Sequence, residues 1–109
     1  MQKILVANED KLIDQADADV RNFLRSNPIC RNSLLKGVAL ARKRFPGNKF
    51  ELSLFIDPEE SINQFLCLEI HCEDSPREFM DRFDRFLKSE WLDIFMESEG
   101  NILASPVFE

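Results

Sequence analysis

The single histidine of this 109-residue chain, His71, stands two residues from Glu69 and two from Glu73. In a strand that spacing puts all three side chains on one face. Glu51 and Asp57 join them if the segment around residue 50 pairs alongside. One imidazole among carboxylates is the raw material of a divalent-metal site or an acid–base pair. None of the spacings H-x-x-x-H, H-E-x-x-H or D-x-D-x-D occurs, however. The simpler reading is a solvated sheet face with Glu51–His71 and Lys49–Glu73 as cross-strand pairs. No catalytic residue, metal ligand or cofactor is assigned, and divalent-metal-dependent activity at this acidic face ranks third among the functional readings.

Cys30, Cys67 and Cys72 form no C-x-x-C pair, and three is an odd number. Without a secretory signal they are expected to be reduced thiols packed as small hydrophobes in the cytoplasm. A catalytic cysteine would need a histidine beside it. Cys72 follows His71 directly, and neighbours in a strand point to opposite faces. The glycines are Gly37, Gly47 and Gly100, too few and too scattered for a phosphate loop, and G-x-S-x-G does not occur.

Charge is segregated along the chain. Residues 1–26 balance at −1, residues 27–49 carry +6 and residues 50–109 carry −11. Arg31, Lys36, Arg42, Lys43 and Arg44 supply most of the basic block and are the candidates for nucleic-acid contact. The block also suits an arrangement in which basic and acidic parts face each other, within one molecule or between copies. The net charge of −6, the absence of glycine from the turn at Asn27-Pro28, and the lack of aromatics among the bases favour that second arrangement.

These residues must be positioned by local structure. Leu12, Ile13, Ala16, Val20, Phe23 and Leu24 have helical spacing, which predicts a helix from about Asn8 to Ser26, with Asn8 as N-cap and Ile4–Ala7 as an earlier start of the same helix. Pro28 suits the first turn of a second helix running to about Phe45, with Cys30, Leu34, Val38, Ala41 and Phe45 on its core face. The period then changes to two. Phe50, Leu52, Leu54 and Ile56 alternate with Glu51, Ser53, Phe55 and Asp57, and Leu66, Leu68, Ile70 and Cys72 then alternate again. A hairpin is expected with Leu54 opposite Leu68 and Leu52 opposite Ile70. Ser75-Pro76-Arg77-Glu78 reads as a capping box before a helix that carries Phe79, Phe83, Phe86, Leu87, Trp91 and Ile94. Gly100 caps its end, and Asn101–Phe108 supplies a last strand, placed at a sheet edge by Pro106. The expected fold is one α+β domain of order α-α-β-β-α-β, with a three-stranded, mostly antiparallel sheet packed against helices.

Lys3 to Asp10 looks like the opening of a phosphoacceptor receiver domain, but the strand–helix alternation does not continue and no central aspartate is placed for it. The stretch L-F-I-D-P-E (Leu54–Glu59), the second apolar strand and the tryptophan helix after S-P-R-E resemble small uncharacterised bacterial α+β proteins over residues 50–109. That resemblance implies the fold and no activity.

Ten phenylalanines, one tryptophan and no tyrosine indicate core filling. Phe55 and Phe65 are exceptions: strand alternation sends them to the outer sheet face beside Cys67, an apolar patch that calls for a cover. An N-terminal helix wrapping over it or a second copy would each supply that cover; Phe55, Phe65 and Cys67 are therefore the interface candidates, and a homodimer or another protein is the expected partner. No apolar run approaches the ~20 residues of a membrane span, and the first residues lack the apolar stretch of a signal peptide. The expectation is a cytoplasmic, non-enzymatic interaction or self-association module. An antitoxin-like regulator touching nucleic acid through residues 31–44 is the alternative.

Overall fold

The computed structural model describes residues 12–59, 64–73 and 75–108. The expected cap at Asn8 and the Ile4–Ala7 run lie outside them. In chain order the elements are α1 (Ala18–Ser26), α2 (Pro28–Arg44), β1 (Phe50–Ile56), β2 (Gln64–His71), α3 (Pro76–Phe86), a π-helical turn (Leu87–Trp91), α4 (Leu92–Glu97) and β3 (Ile102–Val107). This is the expected α+β order, with a three-stranded mixed sheet.

The predicted first helix is broken. A helical turn at residues 12–14 precedes α1, and Asp17, in extended conformation, starts α1 itself. Arg21 spans the break, its Nη1 donating to the Ala16 carbonyl at 2.7 Å and to that of Asp14 at 3.2 Å. Those carbonyls lack helical partners, so the guanidinium takes the place of the missing main-chain bonds.

β2 is the central strand, antiparallel to β1 and parallel to β3. The hairpin register is shifted by two residues from expectation: Leu52 pairs with Leu68, Leu54 with Leu66 and Phe55 with Phe65. A shift of two keeps every side chain on its face, so the apolar pattern satisfies both registers equally. At the two ends of the β2–β3 pairing, the carbonyls of Asn101, just before β3, and Val107 accept from the N–H groups of Leu66 and of Cys72, just after β2. By alternation the even-numbered residues turn their main-chain groups away from β2. Pro106, which has no N–H to offer, thus occupies a position on the open edge.

The core lies between the inner sheet face and the helices. Leu34, Phe45, Leu66, Leu68, Ile70, Phe79, Phe86 and Ile102 are fully buried there. Phe45 is the hub of its aromatic part, 5.4 Å from Phe79 and 5.5 Å from Phe86 between ring centroids. α2 crosses the tryptophan helix at Gly37, where a Cβ would come within 2.6 Å of the Trp91 ring. Only glycine allows that approach. Trp91 is chosen for bulk: its indole N–H is buried and has no acceptor among the described residues. The π-helical turn is what brings it there. Phe79, Phe83, Phe86, Trp91 and Ile94 are all buried although Phe86 and Trp91 are five residues apart, the i→i+5 step of a π turn.

α4 ends in a Schellman arrangement, with the Gly100 N–H on the Phe95 carbonyl at 2.8 Å and the Glu99 N–H on that of Met96 at 3.1 Å. The left-handed position that usually takes glycine is filled by Glu99 (φ 57), with Gly100 (φ 78) one residue later. Ser75 and Pro76 open α3 as expected, but the Ser75 hydroxyl makes no capping bond.

Candidate functional site

The outer sheet face is built by the residues of alternate parity to the core set. Along β1 these are Glu51, Ser53 and Phe55. Along β2 they are Phe65, Cys67, Glu69 and His71, and along β3 Leu103, Ser105 and Val107. One end of the face is apolar. Phe55 and Phe65 are direct partners and their rings stack, with centroids 4.8 Å apart and planes 25° from parallel. Phe55 remains 51 % exposed. Cys67 lies next along β2, paired with Ser53 on one side and Leu103 on the other. The three interface candidates are thus brought together, and the two-residue shift is what stacks the rings. In the expected register Phe55 would have faced Cys67.

Burial pushes the Cys67 thiol up to about 11, with the nearby Glu69 carboxylate adding to the rise and a hydrogen bond from Ser105 opposing it. A thiol so held is a poor nucleophile at neutral pH. Cys30 is also raised, by burial first and Glu99 second. Among the described residues no disulfide links Cys30, Cys67 or Cys72.

The other end of the face is polar. Glu51 and Glu69 stand directly opposite each other, a like-charge pair that costs stability. His71 stands beside this pair: its Nε2 lies 2.7 Å from a Glu51 oxygen, and the residue is only 5 % exposed. The His71 main chain is fixed as well, its N–H donating to Lys49 and its carbonyl accepting from the Asn48 side chain. The Glu51–His71 contact therefore forms, as a diagonal pair. Lys49, expected opposite Glu73, lies beside His71 instead. Among the described residues no group of three His, Cys, Asp or Glu side chains converges as a metal site.

The five nucleic-acid candidates do not form one surface. Lys36 pairs with Glu97 at 3.1 Å. Arg44 donates to Glu90, its Nε at 3.0 Å. Arg42 lies over the Phe50 ring, 5.3 Å from its centroid. Lys43 is exposed at the mouth of a groove also lined by Glu90, Asp93 and Glu97. Arg31 is on the opposite half of α2, beside Arg21 and Arg25. Two of the five, Lys36 and Arg44, thus meet acids of the C-terminal part within one molecule, Glu97 on α4 and Glu90 on the π-helical turn.

Arg21 and Arg25 escaped the sequence reading. They sit at i and i+4 on α1, outside the acid-free stretch, and charge counting over residues 1–26 hid them behind five acids. No described helix is long and apolar enough to cross a membrane. Compared with known proteins, the chain matches no protein-family model, no curated sequence and no solved structure.

Proposed function

We propose that this chain is a non-enzymatic self-association module that buries the apolar end of its outer sheet face against a second copy of itself. The observation that supports the reading most is the Phe55–Phe65 stack: two large rings already fixed against each other, one still half in water, on the sheet face turned away from the core. Aromatic anchors of this kind form the centres of interfaces, and rings held rigid in advance lose little entropy on burial. A two-fold axis through the stack would set Phe55 and Phe65 against their own copies. The polar end with Glu51, Glu69 and His71 would then form the rim. The thiol of Cys67, kept neutral, suits a dry contact. The cytoplasm, where free cysteines persist, is the compartment this reading implies.

The test is light scattering coupled to size exclusion, with absorbance at 260 and 280 nm recorded together. A nucleic-acid-free dimer that Phe55→Glu turns into a folded monomer supports the proposal. A monomer at every concentration overturns it. Co-eluting material absorbing at 260 nm, released by salt and lost when Arg42, Lys43 and Arg44 are reversed in charge, would replace it with the nucleic-acid regulator. The ion pairs on Lys36 and Arg44 speak against that reading.

A further inference from the structure

Between α2 and the segment formed by the π-helical turn and α4 runs a groove of about 470 Å³. The two walls are antiparallel: Lys36 meets Glu97 toward one end, and Arg44 meets Glu90 toward the other. The floor is apolar, made by the half-buried Ala39 and Leu40 of α2 and the buried Ile94 of α4. Of the polar side chains in the lining, most are already engaged. Lys36 and Glu97 hold each other, Glu90 accepts from Arg44, and the Ser89 hydroxyl donates to the Arg85 carbonyl at 2.6 Å. Lys43 on the α2 wall and Asp93 on the α4 wall remain. Both are exposed, and neither has a hydrogen-bond or ion-pair partner among the described residues. They do not pair with each other either, so their charges stand beyond the ~4 Å of an ion pair. The groove thus offers one positive group, one negative group and an apolar bed between its walls.

We infer that this α2–α4 groove binds a short linear zwitterion, with an ammonium at one end of a hydrocarbon chain and a carboxylate at the other. The ligand carboxylate meets the Lys43 ammonium, the ligand ammonium meets the Asp93 carboxylate, and the methylenes lie on Ala39 and Leu40. Both signs are required, because a ligand of one sign is attracted by one wall and repelled by the other. Separation of the charges is required as well. An α-amino acid has both on a single carbon and reaches one wall at a time, whereas an ω-amino acid spans the two. Exposed ion pairs are individually weak, and burial of the methylenes supplies the rest of the attraction. The volume falls within the roughly 300–1,000 Å³ usual for small-molecule sites. No residue of the groove belongs to the sheet, so the site stands independently of the dimer reading.

Titration of the full chain with ε-aminocaproate, followed by backbone amide shifts, tests the inference. Saturable shifts confined to residues 36–43 and 89–97 are expected. Affinity should fall about fivefold in Asp93→Asn and by a similar factor in Lys43→Gln, and stay unchanged in Asp84→Asn. Both altered residues are exposed, and an unchanged melting temperature confirms that the fold is intact. L-Leucine is the matched probe, an isomer with the same atoms and the same two charges on one carbon; it should bind more weakly. Equal binding of the two isomers overturns the requirement for separated charges. A loss in only one of the two variants overturns the zwitterionic assignment. Absence of saturation, or unchanged affinity in both variants, overturns the site itself.

Discussion

The two faces of the sheet are made by the same strands, yet they follow different rules. On the inner face Leu66, Leu68, Ile70 and Ile102 are wholly buried and their neighbours on the helices interlock with them. On the outer face Phe55 is half exposed, and among the described residues its aromatic neighbour is Phe65. An inner side chain is therefore answerable for the stability of the monomer, and an outer one for whatever the monomer meets. One consequence is that stability and association should be separable by mutation.

The largest effect is expected where the inner face is cut. Leu68→Ala should lower unfolding free energy by about 2–5 kcal/mol, read by denaturant titration. Close behind is Gly37→Ala, which drives a methyl into the Trp91 ring. It should cost about 1–3 kcal/mol, with Trp91 fluorescence altered. Phe55→Ser, on the outer face, should change monomer stability by less than about 1 kcal/mol while shifting the dimer equilibrium strongly. Equal losses for Leu68→Ala and Phe55→Ser would erase the distinction between the faces. Glu99→Gly should stabilise by about 0.5–1 kcal/mol, because glycine adopts the left-handed conformation of the helix cap without the steric cost that glutamate bears.

A further effect is a matter of rate. The Cys67 thiol titrates near 11 in the fold against 9.0 for an ordinary thiol. A raised value means that the fold prefers the neutral form. That contribution to stability is fully present below pH 9 and is lost as the pH rises through 11. At pH 8, alkylation of Cys67 by iodoacetamide should run on the order of a hundredfold slower than in the urea-unfolded chain. Comparable rates would mean that the outer face does not shelter it.

Much of this was written in the pattern of apolar residues. Cys30, Leu34, Val38, Ala41 and Phe45 announced α2, and Phe79, Phe83, Phe86, Trp91 and Ile94 marked the third long helical segment. The change of period at Phe50 marked the hairpin. Three things were not legible, each for a physical reason. The hairpin register escaped because a shift of two preserves the faces, and only cross-strand pairs such as Phe55–Phe65 decide between the alternatives. The break before α1 depends on Arg21 reaching back to carbonyls, a contact that leaves no periodicity. The π-helical turn did leave a trace, the five-residue step from Phe86 to Trp91, which stands out only when the helical period is taken strictly. Of the site, the proximity of Phe55, Phe65 and Cys67 followed from alternation. The dispersal of the bases did not, since charge counting along a chain says nothing about which carboxylate each base will meet.

The π-helical turn also bears on how this chain can change length. A turn closed on i+5 holds one residue more than a turn of α-helix. Removing a single exposed residue between Leu87 and Trp91, such as Ser89, would bring Phe86 and Trp91 to a spacing of four and restore an unbroken helix. Both would keep their side of it. The same deletion a few positions earlier, at Asp84, would rotate Phe79 and Phe83 out of line with Phe86. The segment thus has a joint where the reading frame of the helix has slack, and Trp91, pressed against Gly37, sits at that joint.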